Sequence, residues 1–256
     1  MQGSPWFDHV LVDTKPSWWQ IGALHRLSGQ LWGYDFVYDL QTSGRSKRYF
    51  ALAGKPQWSG ISPGCSHPQS DPAREHMHTI ERQRDQLVIA GVEEFPRPEL
   101  GWLTETTVPD LPARFALLVP GAAPSRPAKR WPAANFGALA VELMRRGRVP
   151  VVIGAASERD LAATIQAACP QAVDLTGQTT LAQLFAVAAR AELAIGNDTG
   201  PMHIAASVGC RCIVLFSADS DPSMTAPRGP DGEWPVVLRE KVLADLAVAR
   251  VVEAIS

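Results

Sequence analysis

The sequence predicts an α/β protein with a doubly wound parallel sheet in its rear half and an incomplete second α/β layer in front. Short, near-continuous apolar runs recur through residues 113–256, each closed by glycine, proline or a polar loop. Stretches with helical periodicity fill the gaps, the signature of strands buried on both faces. The front part shows only two or three such runs, fewer than the usual ~4–6 strands of an open sheet. A chain of 256 residues suits one to two domains, taking about 100–200 residues for each. The expected division is 1–110 and 111–256.

In the rear part, Phe115–Val119 reads as a strand ending at Pro120-Gly121. Pro132 stands where a first-turn proline is tolerated and opens a helix to about Arg146, stopped by Gly147. Val149–Ile153 is the second strand, and Ser157 can cap a helix with Leu161 and Ile165 on one face. Val173–Leu175, Leu193–Gly196, Cys212–Phe216 and Val236–Leu238 continue the strands. Thr180–Ala189, Pro201–Val208 and a last segment around Val248–Ile255 supply helices. Alternation of this kind builds a sheet covered on both sides.

In the front part, His9–Asp13 and Phe36–Leu40 read as strands, with Trp58–Ile61 a third. Ser62–Pro72 is rich in Pro, Ser, Gly and His and reads as loop. His78–Ala90 reads as a helix with Ile80, Leu87 and Val88 available for packing. This half is therefore a small cap, or a Rossmann-like domain without its first strand and helix.

Composition narrows the function. Lys plus Arg number 24 against 26 Asp plus Glu, a net charge of −2, which speaks against a nucleic-acid binder with its basic excess. Four cysteines are too few for a disulfide scaffold, so a reducing compartment is expected. No apolar run approaches the ~18 residues of a membrane span. The opening Met1–Asp8 has neither the basic nor the apolar region of a secretory signal. A soluble cytoplasmic protein is expected.

Two segments carry chemistry. Ile195-Gly-Asn-Asp-Thr-Gly-Pro-Met-His203 runs from a strand through a glycine loop into a helix begun by Pro201. Free N–H groups and the positive helix end suit a phosphate there, and His203 adds a donor. Asp198 or Thr199 capping that helix explains the same residues equally well. Pro120–Pro132 follows another strand and sets Ser125, Arg126, Lys129 and Arg130 at the mouth of the same crevice. Fixed positive charge beside a helix N-terminus suits a diphosphate; a solvated basic loop is the plainer account. Two anion-competent loops on one sheet favour the first. Glu158 can accept a hydrogen bond from a ribose hydroxyl, or serve as a first-turn acid. No G-x-G-x-x-G, G-x-x-x-x-G-K-[ST] or G-x-S-x-G motif occurs.

Cys65, His67, His76 and His78 match no standard zinc spacing, and the loop around them reads as one that meets a polar substrate. Residues 41–85 hold seven Lys or Arg against four Asp or Glu, an excess that favours an anionic partner. Cys210 and Cys212 read as small core residues at the turn into a strand.

The segment Gly196-Asn-Asp-Thr-Gly-Pro-Met-His203-Ile-Ala-Ala resembles the signature of the ADP-heptose:lipopolysaccharide heptosyltransferases, the family-9 glycosyltransferases of GT-B fold. Pro120-Gly, Lys129-Arg-Trp-Pro132, Leu175-Thr-Gly177 and Tyr38-Asp-Leu-Gln41 extend the resemblance over nearly the whole chain. It implies a GT-B-like pair of Rossmann-like domains, the front one incomplete and on the acceptor side, the rear one holding a nucleotide-sugar donor, ADP-heptose. Lys129, Asp198, Thr199 and Gly200 would meet the diphosphate and sugar, with His203 nearby, Ser125 a further donor-binding residue and Glu158 on the ribose. The family transfers heptose with inversion and needs no metal or other cofactor. The implied acceptor is an anionic lipid-linked sugar at the inner membrane face, with at most peripheral membrane contact. Family members open with a strand and a Gly-rich loop carrying an acidic base; no such loop precedes Trp6–Val10, so the chain looks shortened at its front and its base is unassigned. Asp13 and Asp39 are strand-end acids without a role. A donor-binding remnant without turnover, or a related enzyme using another nucleotide sugar, are the competing readings.

Overall fold

The computed structural model describes residues 4–255. The chain divides into two compact units between Phe95 and Pro96. In the front unit, α1 (Ile21–Leu31) precedes β1 (Phe36–Tyr38), α2 (Ser46–Leu52), β2 (Gln57–Gly60), β3 (His67–Pro68) and α3 (Thr79–Ile89). The three strands form a parallel sheet in the order β1-β2-β3.

Several front-half expectations are corrected. His9–Asp13 is not a strand. It has no ladder partner, and the Asp13 carboxylate instead accepts from Lys15 N–H and the Tyr49 hydroxyl, each at 2.7 Å. The proline-rich stretch read as loop contributes β3, where Pro68 sits on an outer strand that tolerates its missing N–H. His78 does begin the expected helix α3, its Nδ1 accepting from Ile80 N–H at 3.2 Å. Its buried residue, however, is Gln86 at 1 % exposure, while Ile80 and Val88 face solvent. Gln86 Nε2 donates to the carbonyls of Asp39 (2.9 Å) and Ser59 (3.3 Å), closing backbone groups at the ends of β1 and β2.

The rear unit contains α4 (Gly101–Thr104), β4 (Phe115–Val119), α5 (Ala133–Arg145), β5 (Val149–Val152), α6 (Arg159–Ala168) and β6 (Val173–Asp174). It continues with α7 (Leu181–Arg190), β7 (Leu193–Asn197), α8 (Gly200–Ser207), β8 (Cys212–Phe216), α9 (Pro222–Thr225), β9 (Val236–Arg239) and α10 (Val248–Glu253). Its six parallel strands run in the order β6-β5-β4-β7-β8-β9. Chain order therefore reverses between β4 and β7, the switch point at which doubly wound sheets open a crevice.

Strand alternation splits the rear core into two layers. Ala116 and Leu118 of β4 pack with Phe136, Leu139, Ile165 and Val251 of α5, α6 and α10. Phe115, Leu117 and Val119 pack on the other side with Leu184, Val187, Met202 and Ala205 of α7 and α8. All five β4 residues are at most 2 % exposed, which is why an unbroken apolar run forms a strand here. One expectation fails: Ser157 lies inside a short 3-10 turn, and α6 starts at Arg159 behind Glu158 with no side-chain cap. Thr180 does cap α7, its hydroxyl accepting from Gln183 N–H at 3.2 Å while Gln183 Oε1 accepts from Thr180 N–H at 2.9 Å. No helix among the described residues is long and apolar enough to cross a membrane.

Candidate functional site

The carboxyl ends of β4 and β7 deliver two loops to the switch point, and a buried side chain fastens them together. Asn197, the last residue of β7, has no exposed surface. Its Oδ1 accepts from Trp131 N–H at 3.0 Å, and its Nδ2 donates to the carbonyls of Pro120 at 2.8 Å and Gly121 at 3.3 Å. Both ends of the 120–132 loop are thus tied to one amide. Trp131 is itself anchored, its Nε1 donating to Leu246 O at 2.9 Å and its ring meeting Phe136 edge-on. Gly196 is required where β4 and α8 converge, because a Cβ there would lie 2.5 Å from Val119 Cβ and 2.8 Å from Met202 Sδ.

On this frame Lys129 Nζ meets Asp198 Oδ2 at 2.5 Å, with the two side chains only 12 % and 6 % exposed. Of the two explanations for the 196–203 loop, helix capping is now excluded for both acids and hydroxyls offered. Asp198 turns to Lys129, and Thr199 occupies the N-cap position of α8 in extended conformation without a side-chain cap bond. Pro201 in the first turn has no N–H to satisfy. The α8 N-terminus therefore has no side-chain cap, Met202 N–H turning back to the Thr199 carbonyl at 3.0 Å, an arrangement open to an anion at its very start. An ammonium carries three protons, and one carboxylate oxygen leaves the others available. Arg130 donates to Ala122 O at 2.6 Å, while its buried Nε has no partner.

Beside the pair is a pocket of about 320 Å³ walled by Gly121, Gly154, Glu158, Thr180, Leu181 and Thr199, among others. Its size lies at the small end of the ~300–1,000 Å³ typical of ligand sites. Glu158 lies across its floor: Oε2 accepts from Ala155 N–H at 2.8 Å, and a Cβ on Gly121 would be 2.0 Å from Oε1. One Glu158 oxygen is thus bound to its own loop and the other lies over Gly121. Of the seven residues singled out in the rear unit, Lys129 and Asp198 touch, and Glu158 and Thr199 share the pocket. Ser125, Gly200 and His203 are exposed and outside that wall. Asn197 and Trp131 were not singled out by role; a polar residue ending an apolar strand was the available signal.

The front unit has its own pocket, about 590 Å³, walled by Asp13, Tyr38, Asp39, Gln41, Arg45 and Trp58 among others. Burial pushes the Asp13 carboxyl up, but the bonds from Tyr49 and Lys15 N–H, with Arg45 nearby, outweigh it and hold the group below its ordinary range. Asp39 is 6 % exposed; Oδ1 accepts from Thr42 N–H at 3.0 Å and Oδ2 has no partner. The Cys and His residues of this unit disperse. Cys65 is buried with Sγ against Gly60 O, His67 Nδ1 meets the Ser66 hydroxyl, and His78 caps α3.

The family model for glycosyltransferase family 9 (heptosyltransferase) matches residues 25–237. Lipooligosaccharide heptosyltransferase 2 of Haemophilus influenzae is 34 % identical over 106 residues, 40 % of this chain and 30 % of the relative. Lipopolysaccharide heptosyltransferase 2 of Escherichia coli is 35 % identical over 106 residues, with the same shares. The alignments thus span about a third of these relatives. Among solved structures, E. coli ADP-heptose lps heptosyltransferase II is similar with a TM-score of 0.70 at 22 % identity, over 91 % of this chain and 78 % of that one. A family 9 glycosyl transferase from Veillonella parvula gives 0.73 at 22 % identity, over 96 % and 80 %. These likenesses are of fold, and the fold is α/β and GT-B-like. With a family match across most of its length, the chain belongs to glycosyltransferase family 9.

Proposed function

We propose that the protein transfers heptose from ADP-heptose to an anionic, lipid-linked lipopolysaccharide core sugar, with inversion at the anomeric carbon. The rear unit holds the donor and the front unit serves the acceptor. The observation that carries this reading is the Lys129–Asp198 pair at the sheet's switch point, beside the uncapped α8 N-terminus and the Glu158 pocket. Family membership supports it, as does a solved relative that is a heptosyltransferase with ADP bound.

In the transfer, an acceptor hydroxyl oxygen bonds to the anomeric carbon as the bond to the β-phosphate oxygen breaks, and the hydroxyl proton passes to a base that no residue here is assigned to supply. Negative charge grows on the departing ADP. Lys129 and the α8 N–H groups meet that charge with donors already oriented, which lowers the barrier more than it tightens ground-state binding. Asp198 positions the ammonium, Thr199, Gly200, Ser125 and His203 line the phosphate and sugar side, and the free oxygen of Glu158 accepts from the ribose. The chain acts in the cytoplasm, with peripheral contact at the inner membrane face where such an acceptor would be reached.

Calorimetry with ADP and ADP-heptose tests the donor half. Lys129→Ala is expected to weaken ADP binding about 10–100-fold, the loss of a charge-assisted hydrogen bond of ~1.5–3 kcal/mol. Acceptor-dependent ADP release tests the transfer. Unchanged affinity in Lys129→Ala refutes the donor assignment, and binding without turnover refutes the enzymatic one.

A further inference from the structure

At the amino-terminal end of β8, away from the loops after β4 and β7, two cysteines stand two residues apart. Cys212 opens β8 and is 4 % exposed; Cys210, two residues earlier, is half-buried. The Cys212 thiol donates to the Cys210 carbonyl at 3.2 Å, and the Cys210 thiol donates to the carbonyls of Ala191 and Arg211 at 3.6 Å each. Both residues line a solvent-open cavity of about 190 Å³ that is also walled by Gly209, Glu233, Trp234 and Pro235. Cys65 and Cys169 are buried elsewhere.

We propose that Cys210 and Cys212 are a vicinal dithiol that exchanges with small-molecule disulfides, a modification site with Cys210 as attacking and Cys212 as resolving thiol. Cys210 is the more accessible of the two sulfurs, and its thiol neighbour holds its pKa below the ordinary value against burial, while the proximity of Cys210 and burial push the 4 % exposed Cys212 thiol up. The Cys210 thiolate bonds to one sulfur of RS–SR and expels RS⁻, which takes up a proton. Cys212 then gives up its proton and bonds to the Cys210 sulfur, expelling the second RS⁻. Two protein S–H groups and one RS–SR become one protein disulfide and two RSH. Two residues of extended chain span roughly 6.6 Å, near the wide limit of ~4.4–6.8 Å between bridged Cα atoms.

The test treats the folded protein with 2-hydroxyethyl disulfide and follows intact mass and peptide maps. The expected wild-type product has lost one pair of hydrogens, mapped to the 210–212 peptide and reversed by dithiothreitol. Cys212→Ser is expected to stop at a stable mixed disulfide on Cys210, and Cys210→Ser to react at least ~10-fold more slowly, as a buried thiol does. A wild type that halts at the mixed disulfide overturns the proposal, as does equal reactivity of the two variants. Alkylation rates on the wild type give the same ranking without substitutions, Cys210 reacting before Cys169 and Cys65; any other order overturns the assignment of the attacking thiol. None of these readouts involves ADP, so the result stands apart from the donor reading.

Discussion

Asn197→Ala is the most searching perturbation of the donor site, because it removes no group proposed to touch the donor. The amide makes one strong bond to Trp131 N–H (3.0 Å), one to Pro120 O (2.8 Å) and a longer one to Gly121 O (3.3 Å), all without solvent contact. Two good hydrogen bonds are worth about 1 kcal/mol each, and the stranded Trp131 N–H adds a desolvation cost of about 1–3 kcal/mol. The carbonyls lose less, since each retains other possibilities for its lone pairs. Urea unfolding should therefore show a loss of about 2–4 kcal/mol with an unchanged m-value. Calorimetry on the folded variant should show ADP binding at least ~10-fold weaker, because both ends of the loop that carries Lys129 are released. Asn197→Asp should be worse than Ala: it retains an acceptor for Trp131 but sets a buried anion against two carbonyls. A stability loss below about 0.5 kcal/mol, or full ADP affinity in the Ala variant, refutes the idea that this amide holds the site together.

Lys129→Ala and Asp198→Ala should each destabilise the fold by about 3 kcal/mol, since each leaves an unpaired charge in a nearly closed site, while the double variant costs less than the sum in a urea-denaturation cycle. Gly121→Ala should abolish detectable ADP binding by driving Glu158 off the pocket floor, where a Cβ would overlap its carboxylate; a thermal-shift assay should find stability recovered on adding Glu158→Ala. At the far side of the sheet, Arg114 and Arg148 hold the Glu192 carboxyl down to about 2 from 4.5. Because the folded value is the lower one, this contribution is fully present above pH 4.5 and is lost as pH falls toward 2; Glu192→Gln should flatten that part of the stability–pH curve measured by circular dichroism.

The rear unit was largely legible because its strands are buried on both faces. Phe115–Val119 and Cys212–Phe216 each show five buried residues in a row, so composition alone marks them. Once strand order is inferred, the loops after β4 and β7 are bound to be neighbours, which is why Lys129 and Asp198 are expected at one crevice; their ion pair with each other is not foreseen by the sequence. What stayed hidden was polar and specific. Nothing in the pattern distinguishes Asn197 as a clip from Asn197 as a loop residue, because its three partners are backbone groups far along the chain. Ser157 looked like a cap for the converse reason: the residue type is right, but a 3-10 turn moves the helix start past it.

The front unit defeats the same reasoning in a way that bears on function. Periodicity reports the environment of side chains, whereas a strand exists only when another strand supplies its hydrogen bonds. His9–Asp13 has the composition of a strand and no partner, and its Leu11 and Val12 are 49 % and 70 % exposed. α1 was missed because Gly22 and Gly29 weaken its intrinsic propensity; it is held by packing, with Leu27 buried and Ser28 Oγ donating to Leu52 O at 2.7 Å. α3 turns an amide inward, where Gln86 serves the Asp39 carbonyl and adds a second donor to the Ser59 carbonyl that Asp39 N–H already meets. The proposed donor chemistry rests on loops whose positions the sheet dictates, so it does not depend on any single front-unit element. Acceptor chemistry has no such anchor here: Asp13 is committed to Tyr49 and Lys15, whereas Asp39 retains an unpartnered oxygen beside the larger pocket. If either acid serves the acceptor, Asp39→Asn should lower acceptor-dependent ADP release while leaving ADP binding intact, and Asp13→Asn should instead loosen the Tyr49 contact. Loss of ADP binding in Asp39→Asn would break the division of labour between the two units.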